Sequence, residues 1–246
     1  MTRHAVPVGS AGFGVDRRTV LVGSVIVAVV VAATLVGVFA LRSTGSSPAP
    51  ATVTGAQDVG ELLDGIPQRS TTLGSPRAPV TLVEFADPQC PYCAVWARDA
   101  LPEVVARYVR TGKVQLVFEG MTFVGTDSIT ALRSALAAGR QNKFWNVLDL
   151  LYANQGTENT GWVTDPLLRG IGAAVPGLDT DRMLADRGSP AVDRMVAQAD
   201  SVARSAGVSS TPTFAVGPTG GQLRIIRLGS LTAASIEPAL DRALKQ

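Results

Sequence analysis

The chain has 246 residues, 46% of them hydrophobic, a formal net charge of +2 and a mean hydropathy of +0.23. That is enough for one sizeable domain with additional elements, and the charge lies too near balance to point to nucleic acid or a strongly acidic partner. The only histidine is His4, so the body of the chain holds no Ser-His-Asp or Cys-His catalysis and no histidine metal site.

Residues 1–18 form a short polar tail with Arg3, Arg17 and Arg18. From Val20 to Leu41 the sequence is apolar apart from Ser24 and Thr34, a run long enough to cross a bilayer as a helix, and a transmembrane helix is expected over 19–42. Three arginines precede the run, only Arg42 follows closely, and the next charge is Asp58. The positive-inside tendency then keeps the tail cytoplasmic and exports the rest. A cleaved signal peptide is the alternative, with Val38-Phe39-Ala40 as its cleavage site, although the run exceeds the usual apolar region of about 7–15 residues. Arg17-Arg18 before the run also fits a twin-arginine export signal. Residues 43–57, with Gly45, Ser46, Ser47, Pro48 and Pro50, have the composition of a flexible linker, leaving 58–246 as the folded domain.

Within that domain, Asp58 to Leu63 reads as a short helix and Gln68 to Leu73 as an edge strand stopped at Gly74-Ser75-Pro76. Pro79 to Phe85 is apolar and β-branched, the pattern of a strand buried on both faces. Glu84 breaks that pattern. Buried there, its carboxyl would have a raised pKa; the other reading is an exposed strand end.

Cys90-Pro91-Tyr92-Cys93 follows directly, at the start of an amphipathic run reaching Arg110 that Pro102 should kink. A dithiol two residues apart at a strand-to-helix junction puts the first sulfur among the unpaired amides of a helix N-terminus, which favour a thiolate. These are the only two cysteines. Two thiolates do not complete a tetrahedral shell, which excludes a metal role, and a bridge closing two residues constrains little unfolded-state entropy, which weakens a structural one. Thiol-disulfide exchange remains, needing no further cofactor.

Lys113 to Phe118 reads as the next strand, so strand, helix and strand make a βαβ crossover with a parallel pair. Helices are expected over Ser128–Ala138 and Lys143–Tyr152, the latter with Phe144, Trp145, Leu148 and Leu151 as core. After a polar loop, Asn154 to Gly161, three more helices start at Thr164-Asp165-Pro166, at Asp179 or Thr180, and at Ser189-Pro190. Thr211 to Val216 and Leu223 to Leu228 form a hairpin around the Gly217 to Gly221 turn, and Thr232 caps a last helix bearing Ile236, Leu240 and Leu244.

Four stretches in this order carry a family resemblance: Gly74 to Val80, Phe85 to Cys93, Gln141 to Trp145, and Gly207 to Phe214 with its Thr211-Pro212. Together they resemble the membrane-anchored bacterial DsbA-like thiol-disulfide oxidoreductases of the thioredoxin superfamily. The resemblance implies an α/β thioredoxin fold with a helical insertion at about 125–206, preceded by the single transmembrane helix. It implies Cys90 as the sulfur that forms the mixed disulfide and Cys93 as its resolving partner, with Pro91 and Tyr92 tuning the thiolate. Many members carry histidine where this chain has Tyr92, which should leave the thiolate less stabilised. Pro212 is implied to be a cis-proline facing the dithiol, with Thr211 and Pro212 binding substrate backbone; an ordinary trans turn is the alternative. Glu84 falls where the family keeps a buried acid that shuttles a proton for the inner cysteine.

The expected function is an extracytoplasmic oxidoreductase at the cell membrane that introduces disulfides into reduced exported proteins and is reoxidised by a quinone-linked membrane oxidase. The same pair could work as a membrane-anchored thiol reductase or disulfide isomerase. A non-enzymatic surface binding domain with a structural disulfide is the third reading.

Overall fold

The computed structural model describes residues 49–246. The expected transmembrane helix over 19–42, the tail before it and the first part of the linker lie outside the described residues; no helix among the described residues is long and apolar enough to cross a membrane.

The organising element is the strand β3 (Val80–Ala86), all seven residues of which are buried. Burial on both sides explains its continuous apolar run. It pairs in parallel with β4 (Val114–Gly120), from Val80 opposite Val114 to Ala86 opposite Gly120. On its other side it pairs antiparallel with β5 (Thr213–Pro218). Two short strands, β1 (Gln68–Arg69) and β2 (Thr72–Leu73), form one edge of the sheet and β6 (Arg224–Ile226) the other, in the order β1-β2-β4-β3-β5-β6. The single edge strand expected over Gln68 to Leu73 is thus a tight hairpin, turned at Ser70, whose φ is 54°.

Alternation along β3 divides its side chains between two layers. Val80, Leu82 and Ala86 join the main core, whereas Val83 and Phe85 pack with Ala215, Val202 and Ala203 on the opposite face. Glu84 stands at an even position, in register with Phe118 and Phe214, and so belongs to the main-core side.

The crossover from β3 to β4 runs through α2 (Pro91–Asp99) and α3 (Leu101–Val104), α1 (Ala56–Leu63) having preceded the sheet. The break falls at Ala100, ahead of Pro102, which sits in the first turn of the new helix. Proline has no N–H for the carbonyl of Arg98, so the chain restarts its helix there. A π-turn over Val105–Val109 follows, with the Arg110 amide donating to the Val105 carbonyl at 2.8 Å. Nothing in the apolar spacing announces it.

Between β4 and β5 the chain makes five helices, α4 (Thr126–Gly139), α5 (Phe144–Ala153), α6 (Asp165–Ala174), α7 (Thr180–Asp186) and α8 (Pro190–Ser205), before α9 (Ala233–Ala243) closes the domain. The caps foreseen for the insertion are present: Thr164, Asp179 and Ser189 side chains accept from the amides of Leu167, Arg182 and Val192. The insertion is keyed into the sheet by aromatic rings. Phe118 of β4 lies 5.1 Å from Phe144 and 6.1 Å from Trp145 between centroids. The Trp145 indole N–H donates to the Thr71 carbonyl at 3.1 Å, and its backbone N–H to Gln68 Oε1 at 3.1 Å. Trp145→Ala should therefore lower unfolding free energy by about 3–5 kcal/mol, read from denaturant midpoints. A loss under about 1 kcal/mol would mean the insertion is held elsewhere.

Candidate active site

The chain leaves β3 at Ala86 and turns within four residues into α2. Cys90 is the N-cap of that helix and Pro91 its first residue, where a missing N–H is harmless. The amides of Cys93 and Ala94 both donate to the Cys90 carbonyl, at 3.1 and 3.2 Å. Cys90 keeps 6% of its surface and Cys93 keeps none, so the outer sulfur is the one a second protein can reach. Both are free thiols.

Across from the helix start stands the loop entering β5. The Thr211–Pro212 peptide bond is cis, which settles the choice left open between a cis-proline and an ordinary turn. The Cys90 thiol donates to the Thr211 carbonyl at 3.5 Å. The next residue is proline, so no backbone N–H of that residue competes for the sulfur.

The two thiols are strongly unlike. Interaction with the Cys93 thiol is the largest effect on Cys90; with the Thr211 side chain and the backbone amides of Cys93 and Tyr92 it outweighs partial burial and pulls Cys90 down to about 6. Burial is the first cause acting on Cys93, reinforced by Cys90 and by the charge of Glu84, and holds it well above the ordinary thiol range. Tyr92, between them, is 66% exposed, so its influence on the sulfurs comes through its backbone.

Glu84 is 1% exposed, which overturns its reading as an exposed strand end. Burial, then the charge of Asp149, push its carboxyl up to about 8, against a lowering by the Trp96 side chain. Its Oε1 nonetheless lacks a hydrogen bond, as does the Trp96 indole N–H, and Trp96 packs on Phe214 at 4.4 Å.

Two further features escaped the sequence reading. Asp87 braces the turn into α2: its Oδ1 accepts from the Gln89 amide at 2.8 Å, its Oδ2 from the Val124 amide at 3.1 Å, and its carbonyl from the Cys90 amide at 2.9 Å. Gln89 is fully buried and ties the turn to the insertion. Its Nε2 donates to Ser128 Oγ at 3.0 Å and Asn159 Oδ1 at 3.2 Å, and its Oε1 accepts from the Asn159 amide at 2.8 Å and the Trp162 indole at 3.3 Å. Gln155 adds a bond from Nε2 to the Pro88 carbonyl at 2.9 Å. The polar loop at 154–161 is therefore lashed behind the dithiol. The position of Gln89 beside Cys90 was the one signal available.

A sequence profile of the thioredoxin family matches residues 68–221, more than half of the chain. A Bacillus cereus protein named probable disulfide bond formation protein D is 31% identical over 178 residues, covering 71% of this chain and 79% of that one. This chain belongs to the thioredoxin family, among its DsbA-like disulfide oxidoreductases. The crystal structure of oxidised BdbD from Bacillus subtilis shares the fold, with a TM-score of 0.61 at 21% identity over 74% of this chain and 98% of that one. A thioredoxin-like oxidoreductase from Silicibacter pomeroyi gives a TM-score of 0.55 at 29% identity, over 76% and 98%. The α/β fold with a helical insertion is thus the one the resemblance implied.

The arrangement can support exchange in sequence. A thiolate that attacked an oxidised Cys90–Cys93 pair at Cys90 Sγ would break the Cys90–Cys93 bond, form a mixed disulfide and leave the electron pair on Cys93. The buried Cys93 would then take up a proton, since its thiolate is disfavoured where it lies. Iodoacetamide should accordingly modify Cys90 of the reduced oxidoreductase with a rate that rises through a midpoint near 6. Cys93 should stay unmodified until the pH is well above 9. Cys90→Ser should remove the low-pH phase, and a single thiol-like midpoint for both sulfurs would contradict the asymmetry.

Proposed function

We propose that this oxidoreductase donates its Cys90–Cys93 disulfide to reduced exported proteins outside the cytoplasm. The observation that carries the reading is the asymmetry of the dithiol: Cys90 caps α2 with surface a client can reach, Cys93 lies without exposed surface, and the first thiol is accordingly drawn down to about 6 while the second is held well above the ordinary range. A stabilised Cys90 thiolate stabilises the reduced enzyme and makes its disulfide a better oxidant and Cys90 a better leaving group. The Thr211 carbonyl and the half-buried Thr211-Pro212 segment beside Cys90 provide backbone for an extended client segment to pair with. Relatives named for disulfide bond formation support this direction.

We place the catalytic domain at the extracytoplasmic face of the cell membrane, tethered by the helix read over 19–42, with a quinone-linked membrane oxidase restoring the disulfide. An oxidising compartment is where a disulfide donor is useful. A second reading, a reductase or isomerase using the same pair, draws support from Tyr92, which offers no imidazole to steady the thiolate.

Equilibration in glutathione buffers, with Cys90 and Cys93 read by alkylation, distinguishes the two. A donor should lie toward about −120 mV, whereas a value near about −270 mV would put the reductant first. The tether is tested separately: the chain should stay with membranes through a carbonate wash and keep its first residues. A mature N-terminus near Leu41 would replace the anchor by a cleaved signal.

A further inference from the structure

The interior behind the dithiol contains a second carboxyl that the exchange steps above do not use. Asp149, on α5, is 6% exposed, and neither of its oxygens has a hydrogen-bond partner. It sits in the stripe of Phe144, Trp145, Leu148 and Leu151 that forms the core of the insertion. One turn further along the same helix face, Tyr152 donates its hydroxyl to the Asp87 carbonyl at 3.4 Å, immediately before the dithiol. That contact fixes which way this face of α5 looks: toward the end of β3 and the start of α2. Glu84 looks into the same core from β3, with one unpartnered carboxyl oxygen of its own.

We propose that Asp149 is a positioning residue for the proton exchanged with Cys93: it forms a buried carboxyl pair with Glu84, and acts on the cysteine through Glu84. The proposal rests on the reading of Cys90 and Cys93 as an exchanging pair, and holds for either direction of electron flow.

The placement of the two groups carries it: both carboxyls are buried in the core behind the dithiol, with Glu84 Oε1 and both Asp149 oxygens lacking hydrogen-bond partners. In keeping with that placement, burial and then the charge of Asp149 push Glu84 up to about 8, and burial lifts Asp149 to about 8. No cation offsets them, because none of the ion pairs among the described residues includes either carboxyl. The titratable groups around Glu84 are Cys93 from α2, Cys90 at its cap and Tyr152 from α5, with Asp87 of the turn beside Tyr152, all neutral or acidic. The helices α1, α4 and α6, packed against α5, turn Val59, Leu63, Leu132 and Leu168 into the same core. Two like charges without a counter-ion in a dry interior do not both ionise readily, so the pair retains a proton near neutrality and titrates as a unit.

In the resolving step Cys93 passes its thiol proton to the Glu84 carboxylate, and the Cys93 thiolate attacks Cys90 Sγ of the mixed disulfide. The new Cys90–Cys93 bond forms, the bond from Cys90 to the partner sulfur breaks, and the partner leaves as a thiolate that takes a proton from water. Cys93 is oxidised to the disulfide level and the partner sulfur is reduced. Asp149 keeps Glu84 a strong enough base to accept from a thiol as reluctant as Cys93.

The test uses the reduced full chain in detergent with oxidised glutathione as probe, following resolution of the glutathione mixed disulfide at Cys90 by mass in acid-quenched samples across pH. Rates for the wild type should rise through a midpoint near the Glu84 titration, about 8. In Asp149→Asn the midpoint should move down by about one unit, the size of effect a lost neighbouring like charge produces, and the plateau rate should fall. Asp149→Leu, which fills the site with apolar bulk, should behave alike and serves where the amide variant folds poorly. In a Glu84→Gln background neither substitution should move the profile. An unchanged midpoint in both Asp149 variants, or an equal shift with Glu84 replaced, would overturn the proposal. A wild-type chain that forms no mixed disulfide, or never resolves it, would bring down the reading of the dithiol itself, and this proposal with it.

Discussion

The constraint on which this oxidoreductase depends is that two chemically identical thiols, two residues apart, must sit in opposite environments. A helix start supplies the difference. Cys90 caps α2, where the backbone amides of Tyr92 and Cys93 favour its thiolate, and Cys93 lies one turn in, without exposed surface. β3 contributes by being buried throughout, which carries the chain to the sheet end and releases it straight into the helix. Pro91 then fixes the first helical residue without wasting a donor. Shift the helix start by one residue and the outer sulfur would lose its cap position while the inner one moved off the buried face.

The insertion is the other half of that environment. Its helices are keyed to the sheet through Phe118, Phe144 and Trp145, and its polar loop is tied to the dithiol turn through Gln89. These contacts exclude water from the volume behind Cys93. Without α5 over it, the inner thiol would be partly solvated, its pKa would fall toward that of Cys90, and the contrast between the sulfurs would shrink. The insertion therefore acts on the chemistry as a low-dielectric wall, and its polar hub at Gln89 holds the wall in register with the helix start.

Much of this was legible in the sequence because it rests on local rules. The cysteine spacing, the apolar run of β3, the caps at Thr164, Asp179 and Ser189, and the Thr211-Pro212 pair each carry a signal within a few residues. What was not legible depends on which face meets which neighbour. A strand that is apolar on both sides gives no alternation from which to place Glu84, so the sequence leaves a buried reading beside an exposed one, and register with Phe118 and Phe214 decides for burial. Asp149 stands in the core stripe of Phe144, Trp145, Leu148 and Leu151, where one polar residue does not disturb the helical spacing of apolar ones and so carries no signal of its own. Gln89 is hidden for the converse reason, since a glutamine in a turn between strand and helix reads as solvated until the loop at 154–161 closes over it. The π-turn after Val104 leaves no mark in a periodicity of apolar residues.

The two places where local expectation and tertiary environment disagree most, Glu84 and Asp149, lie within one core beside the same sulfur. A buried carboxyl without a hydrogen bond costs on the order of 1–3 kcal/mol even when neutral, and more when charged. An apolar residue at either position would be the stabilising choice. Natural sequences keep such conflicts where the site uses them, and elsewhere agree across levels. Both carboxyls lower their cost by retaining a proton, which is why they titrate near 8 rather than in the carboxylate range. A group that holds a proton near neutrality and gives it up slightly above is matched to a partner that must alternate between thiol and thiolate. The destabilisation and the chemistry therefore have one origin: the same dry interior that makes Cys93 a reluctant thiolate makes its neighbours ready to exchange the proton it needs.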